Sequence, residues 1–490
     1  MSYINPRHED RLTLITNLLD AFASLYVSEA PCGSIVSALG GAESYMLYRR
    51  DELGSENDRD LFNFPFLFHS SGDPWHEVND YLLSLMNHKA PINRRTDDVR
   101  RRASKLLDYL FFCEDNNLDW LDFSGARPAL RPTYKYFYHL ISESTRSNLV
   151  INQYTSVVYN FYKYVTEHWH DLDIKRVDTI KHVRFIVKGS KGCKVIEAAK
   201  RSQTRRTAPA SSVALGFVRE DGEDLRPLSN RELGAFLAAI RKEKEWSVVE
   251  RLILMTALMT GARKQSVLTI RLRHLKGFTE DKLQPEGAYK LHAGPGTGID
   301  TKNDKPQVLY FPKQLAEELV TLAKSPMMKA LREKFRAQLE ASHPGVSVAE
   351  DDMYLFLSDQ GNCYYMAKSD PRYTTVKSPQ TGQVTETIKR KLIQKASSPF
   401  PKGFSYHWLR ATFGYQLYQR LQPLVQEGLF KPGEDIDFIQ ERMHHESRET
   451  TENYLKLFKM IQEKVIAQEI WESKLFNGSY AVLTVESHDE

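Results

Sequence analysis

Four short segments carry side chains suited to chemistry on a phosphate: Thr260-Gly-Ala-Arg263, Lys302 within Thr-Lys-Asn-Asp-Lys, His407-Trp-Leu-Arg410, and Met443-His-His-Glu-Ser-Arg-Glu-Thr-Thr-Glu-Asn-Tyr454. Attack of an oxygen on a phosphodiester builds negative charge on the non-bridging oxygens, and a fixed electropositive pocket lowers that barrier. Arginine serves this best, because it stays charged and presents paired donors matched to phosphate oxygens. Singly, each segment has a plainer explanation. A surface ion pair accounts for Arg263, solubility for Lys302 and Lys305 at a hairpin tip, and a solvated doublet for His444-His445. His407 and Arg410 are more telling, since an i, i+3 pair on one helical face can point two donors at one target. Other phosphate chemistries fit less well. Gly294-Pro-Gly-Thr-Gly298 lacks the Gly-Lys-Ser/Thr of a P-loop, and no carboxylate cluster suits two-metal transfer. His168-Trp-His170 has no neighbouring Cys or acidic third ligand and fits an exposed helix end. No cofactor or metal is expected.

Taken together and in this order, the segments resemble the active site of the tyrosine recombinases, also called the phage integrase family. That family's pattern is an Arg after a Thr-Gly turn, a Lys on a β-hairpin, His-x-x-Arg, a His or Trp, and a Tyr a short helical distance later. Here these fall on Arg263, Lys302, His407 with Arg410, His445 and Tyr454. His445 to Tyr454 is the most specific part, with the usual nine-residue separation. The resemblance covers about 228 to 460, and more weakly 93 to 172, where Phe161-Tyr162-Lys163-Tyr164 is similar to the end of the family's core-binding domain. The chain departs from the pattern in places. Ser266 stands where the family commonly has an acidic residue three positions after the first arginine, so whatever orients Arg263 must come from elsewhere. His444 replaces the usual Gly. The gap from Arg263 to Lys302 is long, which makes Lys305 a rival for the lysine role. So is the gap from Arg410 to His445, where Pro423, Gly428, Pro432 and Gly433 suggest an inserted loop.

The resemblance implies a site-specific recombinase or integrase that cuts and rejoins DNA through a 3′-phosphotyrosyl bond, for integration or excision of a mobile genetic element. Arg263 and Arg410 would clamp the scissile phosphate, His407 and His445 would hydrogen-bond it, Tyr454 would be the nucleophile and Lys302 the general acid. The implied partners are double-stranded attachment sites, a tetramer of this chain on synapsed DNA, and accessory DNA-bending or directionality proteins. Two alternatives stay open: a non-catalytic DNA-binding regulator on the same scaffold, and a telomere resolvase or type IB topoisomerase. Retention of every core residue weighs against the first. Tyr406, Tyr415 and Tyr418 are rivals to Tyr454, though aromatics at that spacing are more often core.

The elements that must position these residues follow from periodicity. Leu12, Ile15, Leu19, Phe22 and Tyr26 predict a helix within residues 9–26, inside an accessory region 1–75. Val99, Ala103, Leu106, Leu107 and Leu110 form the stripe of an amphipathic helix, with Arg94, Arg95, Arg100, Arg101, Arg102 and Lys105 around it. With a second helix over 152–168 they predict an all-helical domain, 76–174. A basic interdomain linker, 175–226, follows: from Lys175 to Arg206 eleven basic residues meet two acids, and Lys188, Lys191, Lys194, Lys200, Arg201, Arg205 and Arg206 are candidate phosphate contacts. A catalytic domain spans 227–475 and a tail 476–490. In it, Ser229-Asn-Arg-Glu232 opens a helix as a capping box, and an apolar helix over 248–259 stops at Gly261. Strands at 289–292 and 308–311 make a long hairpin, 354–357 is a further short strand, and an apolar helix runs from Leu455 through Trp471. It packs on its own domain or, as the resemblance suggests, on a neighbouring protomer. The expected fold is mainly α with a small β component: a two-domain DNA clamp of a helical core-binding domain and an α+β catalytic domain.

Composition bounds the rest. The 490 residues carry 67 Lys+Arg against 63 Asp+Glu, a net charge of +4 that averages over unlike parts. Four dispersed cysteines favour no disulfide scaffold, and the N-terminus lacks a signal-peptide layout, so a cytoplasmic, membrane-free protein is expected.

Overall fold

Leu12-Thr-Leu-Ile-Thr-Asn-Leu18 is short and rich in β-branched residues, and those properties prevail over its helical spacing. In the computed structural model of the chain, the helix expected there is a strand. β1 (Leu12–Leu18) pairs antiparallel with β4 (Leu61–Leu67), Leu12 opposite Leu67 and Leu18 opposite Leu61. Between them β2 (Leu25–Val27) pairs with β3 (Tyr48–Arg50). The structure describes residues 10–19, 21, 25–27, 48–50 and 60–459, less 91–92, 144, 190–191, 208–212, 214–215, 221, 243–244, 396–399 and 432. The tail 476–490, and the apolar helix beyond 459, lie outside the described residues.

The chain divides into two units, Met1–Ser211 with Thr374–Lys377, and Ser212–Tyr373 with Ser378–Glu490. The first is built on helices α1 (His76–Ser84), α2 (Asp97–Asp115), α3 (Pro132–Ser142) and α4 (Asn148–His168). Their apolar stripes meet in one core, in which Val99, Leu106, Leu107, Phe161 and Tyr162 are almost wholly buried. Leu61, Phe64, Leu67 and Trp75 belong to the same core, so residues 61–75 are part of this unit and not a separate accessory piece.

The segment expected to be a linker is largely strand. β5 (Ile180–Gly189) and β6 (Gly192–Arg201) pair from Ile180 opposite Arg201 to Gly189 opposite Gly192. Val183, Ile186, Val187, Val195 and Ile196 favour a pleated chain within the basic run, and the two-residue connection suits a hairpin. In the second unit β7 (Val218–Glu220) and β8 (Glu223–Leu225) form another hairpin, with Gly222 between them at φ 82°.

In the second unit, α5 (Asn230–Ile240) and α6 (Val248–Thr260) each begin at a complete capping box, on Ser229 and Ser247. α6 is apolar nearly all round and lies at the centre: Leu252, Ile253, Leu254 and Ala257 are at most 1 % exposed. It ends at Gly261 in the left-handed conformation, φ 67°, and α7 (Lys264–Leu268) starts at once. β9 (Ala288–Ala293) pairs with β10 (Gln307–Pro312) as the expected long hairpin. α8 (Lys313–Lys324), α9 (Pro326–Ser342) and α10 (Val384–Lys395) follow. The strand expected at 354–357 is reduced to single bridges, Arg271 with Tyr354 and Leu357 with Cys363. α11 (Trp408–Gln426) runs through Pro423 and, with α12 (Glu434–Met443), takes up most of the gap from Arg410 to His445 in which a loop was expected. Residues 448–459 are helical. The fold class is mainly α with small antiparallel hairpins.

Candidate active site

Five of the six residues singled out for catalysis converge at the end of α6 and the start of α11, and Lys302 lies on the hairpin beside them. Arg263 is at the N-terminus of α7, two residues past the left-handed Gly261. A Cβ on Gly261 would stand 2.5 Å from the Phe413 ring, so glycine is required both by its φ and by the close approach of α11. The Gly261 carbonyl accepts a hydrogen bond from Arg410 Nη1 at 2.8 Å, and the Met443 carbonyl accepts one from Nη2. The helix terminus, the last residue of α12 and Arg410 are thereby locked together. Arg410 is 2 % exposed.

Both arginines are directed at one carboxylate, which sequence reasoning did not single out. Glu220, the last residue of β7, is 8 % exposed. Its Oε1 lies 2.5 Å from Arg263 Nη2 and 3.3 Å from Arg410 Nε, and its Oε2 accepts a 2.6 Å hydrogen bond from the Tyr454 hydroxyl. Burial alone would raise the pKa of Glu220, but Arg410, Arg263 and the tyrosine hydroxyl overcome it and hold the carboxyl well below the usual range. Glu220 thus supplies the negative partner to Arg263 that Ser266 cannot. The Ser266 hydroxyl donates to the Asp300 carbonyl instead, at 2.9 Å.

Tyr454 is fully buried. Its ring stacks on His445, with centroids 5.0 Å apart and planes at 24°, and Phe458 packs at 5.8 Å. Burial first, and the adjacent Glu220 second, push its phenol well above the ordinary value of 10. His445 Nδ1 shares a 3.0 Å hydrogen bond with the Thr451 hydroxyl, while its Nε2 is buried with no hydrogen-bond partner among the described residues. A buried ring nitrogen left so is costly unless something binds it. Burial, and then Arg410, lower its pKa to about 3, so the ring is neutral at working pH. The rival tyrosines make other contacts. Tyr406 is buried with its hydroxyl on the Ile253 carbonyl, and Tyr415 and Tyr418 pack against Phe458.

A cleft of about 820 Å³ opens over the site, lined among others by Arg219, Glu220, Arg263, Lys302, Lys305 and His445. An adjoining cavity of about 240 Å³ shares Arg263 and Lys302 with it and adds His407. His407 caps α11, and its Nδ1 lies 3.7 Å from Glu223 Oε2 on β8. The β7–β8 hairpin therefore presents one carboxylate to the arginines and another to His407. Lys302 and Lys305 separate clearly. Lys302 lines both cavities, whereas Lys305 is half exposed and pairs with Glu446 at 2.8 Å. Among the described residues there is no cluster of metal-ligating side chains, and no helix is long and apolar enough to cross a membrane.

The basic residues of the first unit are less uniform. Arg95 and Arg100 pair with Asp97, and donate to the Val376 and Lys377 carbonyls of the same unit. Arg102 pairs with Asp98, Arg94 donates to the Lys89 carbonyl, and Lys105 lies over the Tyr154 ring. Arg101 is the exposed member, at 70 %. Arg201 is held by the Thr155 carbonyl and by Asp178. Lys200, Arg205 and Arg206 are exposed. Lys191, and the side chains of Lys188 and Lys194, lie outside the described residues.

No family model matches this chain, and no curated protein matches it. Among solved structures it is similar to the XerH site-specific recombinase bound to a palindromic difH substrate, with 17 % identity over 81 % of this chain and 89 % of that one and a TM-score of 0.37. The Tn1549 transposon integrase in complex with transposon right end DNA gives 12 % identity, coverage of 79 % and 99 %, and a TM-score of 0.36. The XerA recombinase gives 14 % identity, coverage of 80 % and 98 %, and a TM-score of 0.25. These are distant likenesses.

Proposed function

We propose that this chain is a tyrosine-type site-specific DNA recombinase, with Arg263, Lys302, His407, Arg410, His445 and Tyr454 as its catalytic residues. One observation carries the reading: two arginines 147 positions apart and a tyrosine hydroxyl meet around a single bound carboxylate. An anion gripped by two guanidiniums with a nucleophile in contact is the geometry that in-line attack on a phosphodiester needs. With a phosphate between Arg263 and Arg410, the Tyr454 oxygen bonds to phosphorus as its proton leaves, with His407 helping to take that proton. The bond from phosphorus to the 5′ oxygen breaks, and Lys302, facing both cavities, protonates the departing oxygen. The 3′-phosphotyrosyl link conserves the ester's energy, so a 5′ hydroxyl of another strand can reverse the step and rejoin DNA. His445 Nε2 is a ready donor to a phosphate oxygen.

The partner is double-stranded DNA and the biological outcome is integration or excision of a mobile element, carried out by several copies of the chain on synapsed sites. The test is covalent capture. The protein is incubated with labelled nicked duplexes from a randomised pool, whose cleaved end diffuses away, and denaturing gels are examined for a protein–DNA adduct. Wild type forms one, and Tyr454→Phe abolishes it while DNA binding survives. An undiminished adduct in Tyr454→Phe removes Tyr454 from the nucleophile's role, and binding without any adduct from the wild type overturns the recombinase reading.

A further inference from the structure

Glu220 has a position that the chemistry of strand cleavage does not use. Its carboxylate holds both guanidiniums that would bind the scissile phosphate, at 2.5 and 3.3 Å, and accepts a hydrogen bond from the hydroxyl of the tyrosine that would attack it, at 2.6 Å. A carboxylate and a phosphate offer arginine the same paired oxygen acceptors, so they compete for one pair of cations. Access points the same way. Glu220 lines the 820 Å³ cleft, whereas Arg410 and Tyr454, which it touches, are 2 % and 0 % exposed. We propose that Glu220 is an internal stand-in for the scissile phosphate, a latch that closes the empty site and that a DNA phosphate must displace before Tyr454 can react. The idea rests on the recombinase reading and adds to it a resting state.

The local structure makes such a latch movable. Glu220 ends a three-residue strand paired with another of three residues, so its position is set by a short hairpin and not by a helix or a wide sheet. The latch also has a chemical consequence. Beside a carboxylate the phenol is held protonated, its pKa pushed upward after burial by Glu220 itself. Displacing Glu220 by substrate would remove that hindrance as the phosphate arrives, so that the nucleophile is released only in the presence of the group it attacks.

The experiment measures anion binding apart from cleavage. Stabilisation of the full-length protein against thermal unfolding is followed as inorganic sulfate is titrated, for wild type, Glu220→Gln, Glu220→Asp and Glu446→Gln. Glu446 is a carboxylate of the same cleft that pairs with Lys305 instead of the arginines. Glu220→Gln keeps the shape and loses the charge, so it should bind sulfate roughly tenfold or more tightly than wild type, the worth of one charge-assisted hydrogen bond. It should also form the covalent adduct faster at subsaturating DNA. Should Glu220→Gln fail to fold, Glu220→Asp decides, because a carboxylate one methylene short must bind the arginines less well and admit sulfate more readily. Unchanged sulfate affinity in the folded Glu220 variants overturns the latch. So does equal tightening in Glu446→Gln, which would reduce the effect to net charge. Slower adduct formation in Glu220→Gln with recovery in Glu220→Asp overturns it too, and makes Glu220 a positioning residue for Arg263. The two ideas fail distinguishably: tighter sulfate binding without any wild-type adduct leaves Glu220 only as the occupant of an anion site and sinks the recombinase reading with the latch built on it, whereas a Tyr454 adduct with unchanged sulfate binding sinks the latch alone.

Discussion

His445 is 7 % exposed, stacked on Tyr454, and surrounded by more positive than negative charge. Its burial comes first in lowering its pKa to about 3, and burial likewise leads in lowering His444 to about 4. A neutral imidazole suits a donor to phosphate, since it needs no further charge beside two arginines. The same shifts set how stability depends on pH. Unfolded, each imidazole takes a proton near 6.5, while in the folded protein it resists until pH 3 to 4. Across that window the unfolded chain binds more protons, so stability rises with pH and is lost on acidification, by about 1.4 kcal/mol per pH unit for each histidine. Glu220 acts with the same sign below its unfolded value of 4.5, because its folded pKa is depressed. Urea unfolding at pH 7 and pH 4.5 should therefore show a pronounced loss for the wild type and a visibly smaller one for His445→Gln. An equal loss in both would remove His445 from the cause. At this scale the sequence marked residues that the fold brings together: the family resemblance, carried by their order and spacing, pointed to Arg263, His407, Arg410, His445 and Tyr454. Glu220 was not legible, because an acidic residue 43 positions before Arg263 has no local pattern tying it to that arginine.

The β7–β8 hairpin that carries Glu220 had a legible signal that was outweighed. Asp221-Gly222 between short extended runs is a hairpin turn by its chemistry, yet it lies just after a basic, Ser/Thr/Ala/Pro-containing stretch whose composition reads as linker. The helices of the second unit were clearer because their starts are written locally: Ser229 and Ser247 each face a glutamate three residues on. The strand β1 failed for the opposite reason: Leu12 and Ile15 match a helical period but are partly covered as members of a strand paired with β4, while Leu19, just past the strand, is exposed. The junction after α12 shows what a departure from a family pattern costs. His444 replaces the usual glycine at the C-terminal cap, and it sits at φ 50°, ψ 45°, in the left-handed region. A side chain there costs about 1–2 kcal/mol that glycine avoids. Replacing His444 by Ala and by Gly removes the same imidazole in both cases. The Gly variant should therefore exceed the Ala variant in stability by about 1 kcal/mol, read from chemical denaturation. Equal stabilities would mean that the cap relaxes out of the left-handed region.

The charge of the whole molecule, +4, is the sum of surfaces that behave differently in the structure. On α2 and just before it, the arginines expected to face DNA are largely engaged with Asp97 and Asp98 at the start of that helix, and surface pairs of this kind leave little net field. Around the β5–β6 hairpin and the strand exit, Lys200, Arg205 and Arg206 are exposed, and the carbonyls of Arg205 and Arg206 are anchored by Asn152 and Asn148. Composition could count these charges but could not tell which would be spent on near neighbours, because that depends on helix phase and on which acid lies three or four residues away. The distinction is measurable if DNA is the partner proposed here. Each phosphate contact contributes about 0.9 to the slope of log affinity against log salt. Changing Lys200, Arg205 and Arg206 together to Ala should lower that slope by about 2–3 on a random-sequence duplex followed by fluorescence anisotropy. Arg100→Ala should leave the slope unchanged and lower stability instead, since it removes a pair with Asp97 and a bond to the Lys377 carbonyl. If Arg100→Ala reduces the slope and the triple variant does not, the α2 face contacts the phosphates and the segment around the β5–β6 hairpin does not, which would return the DNA-facing role to the helix that the sequence first marked.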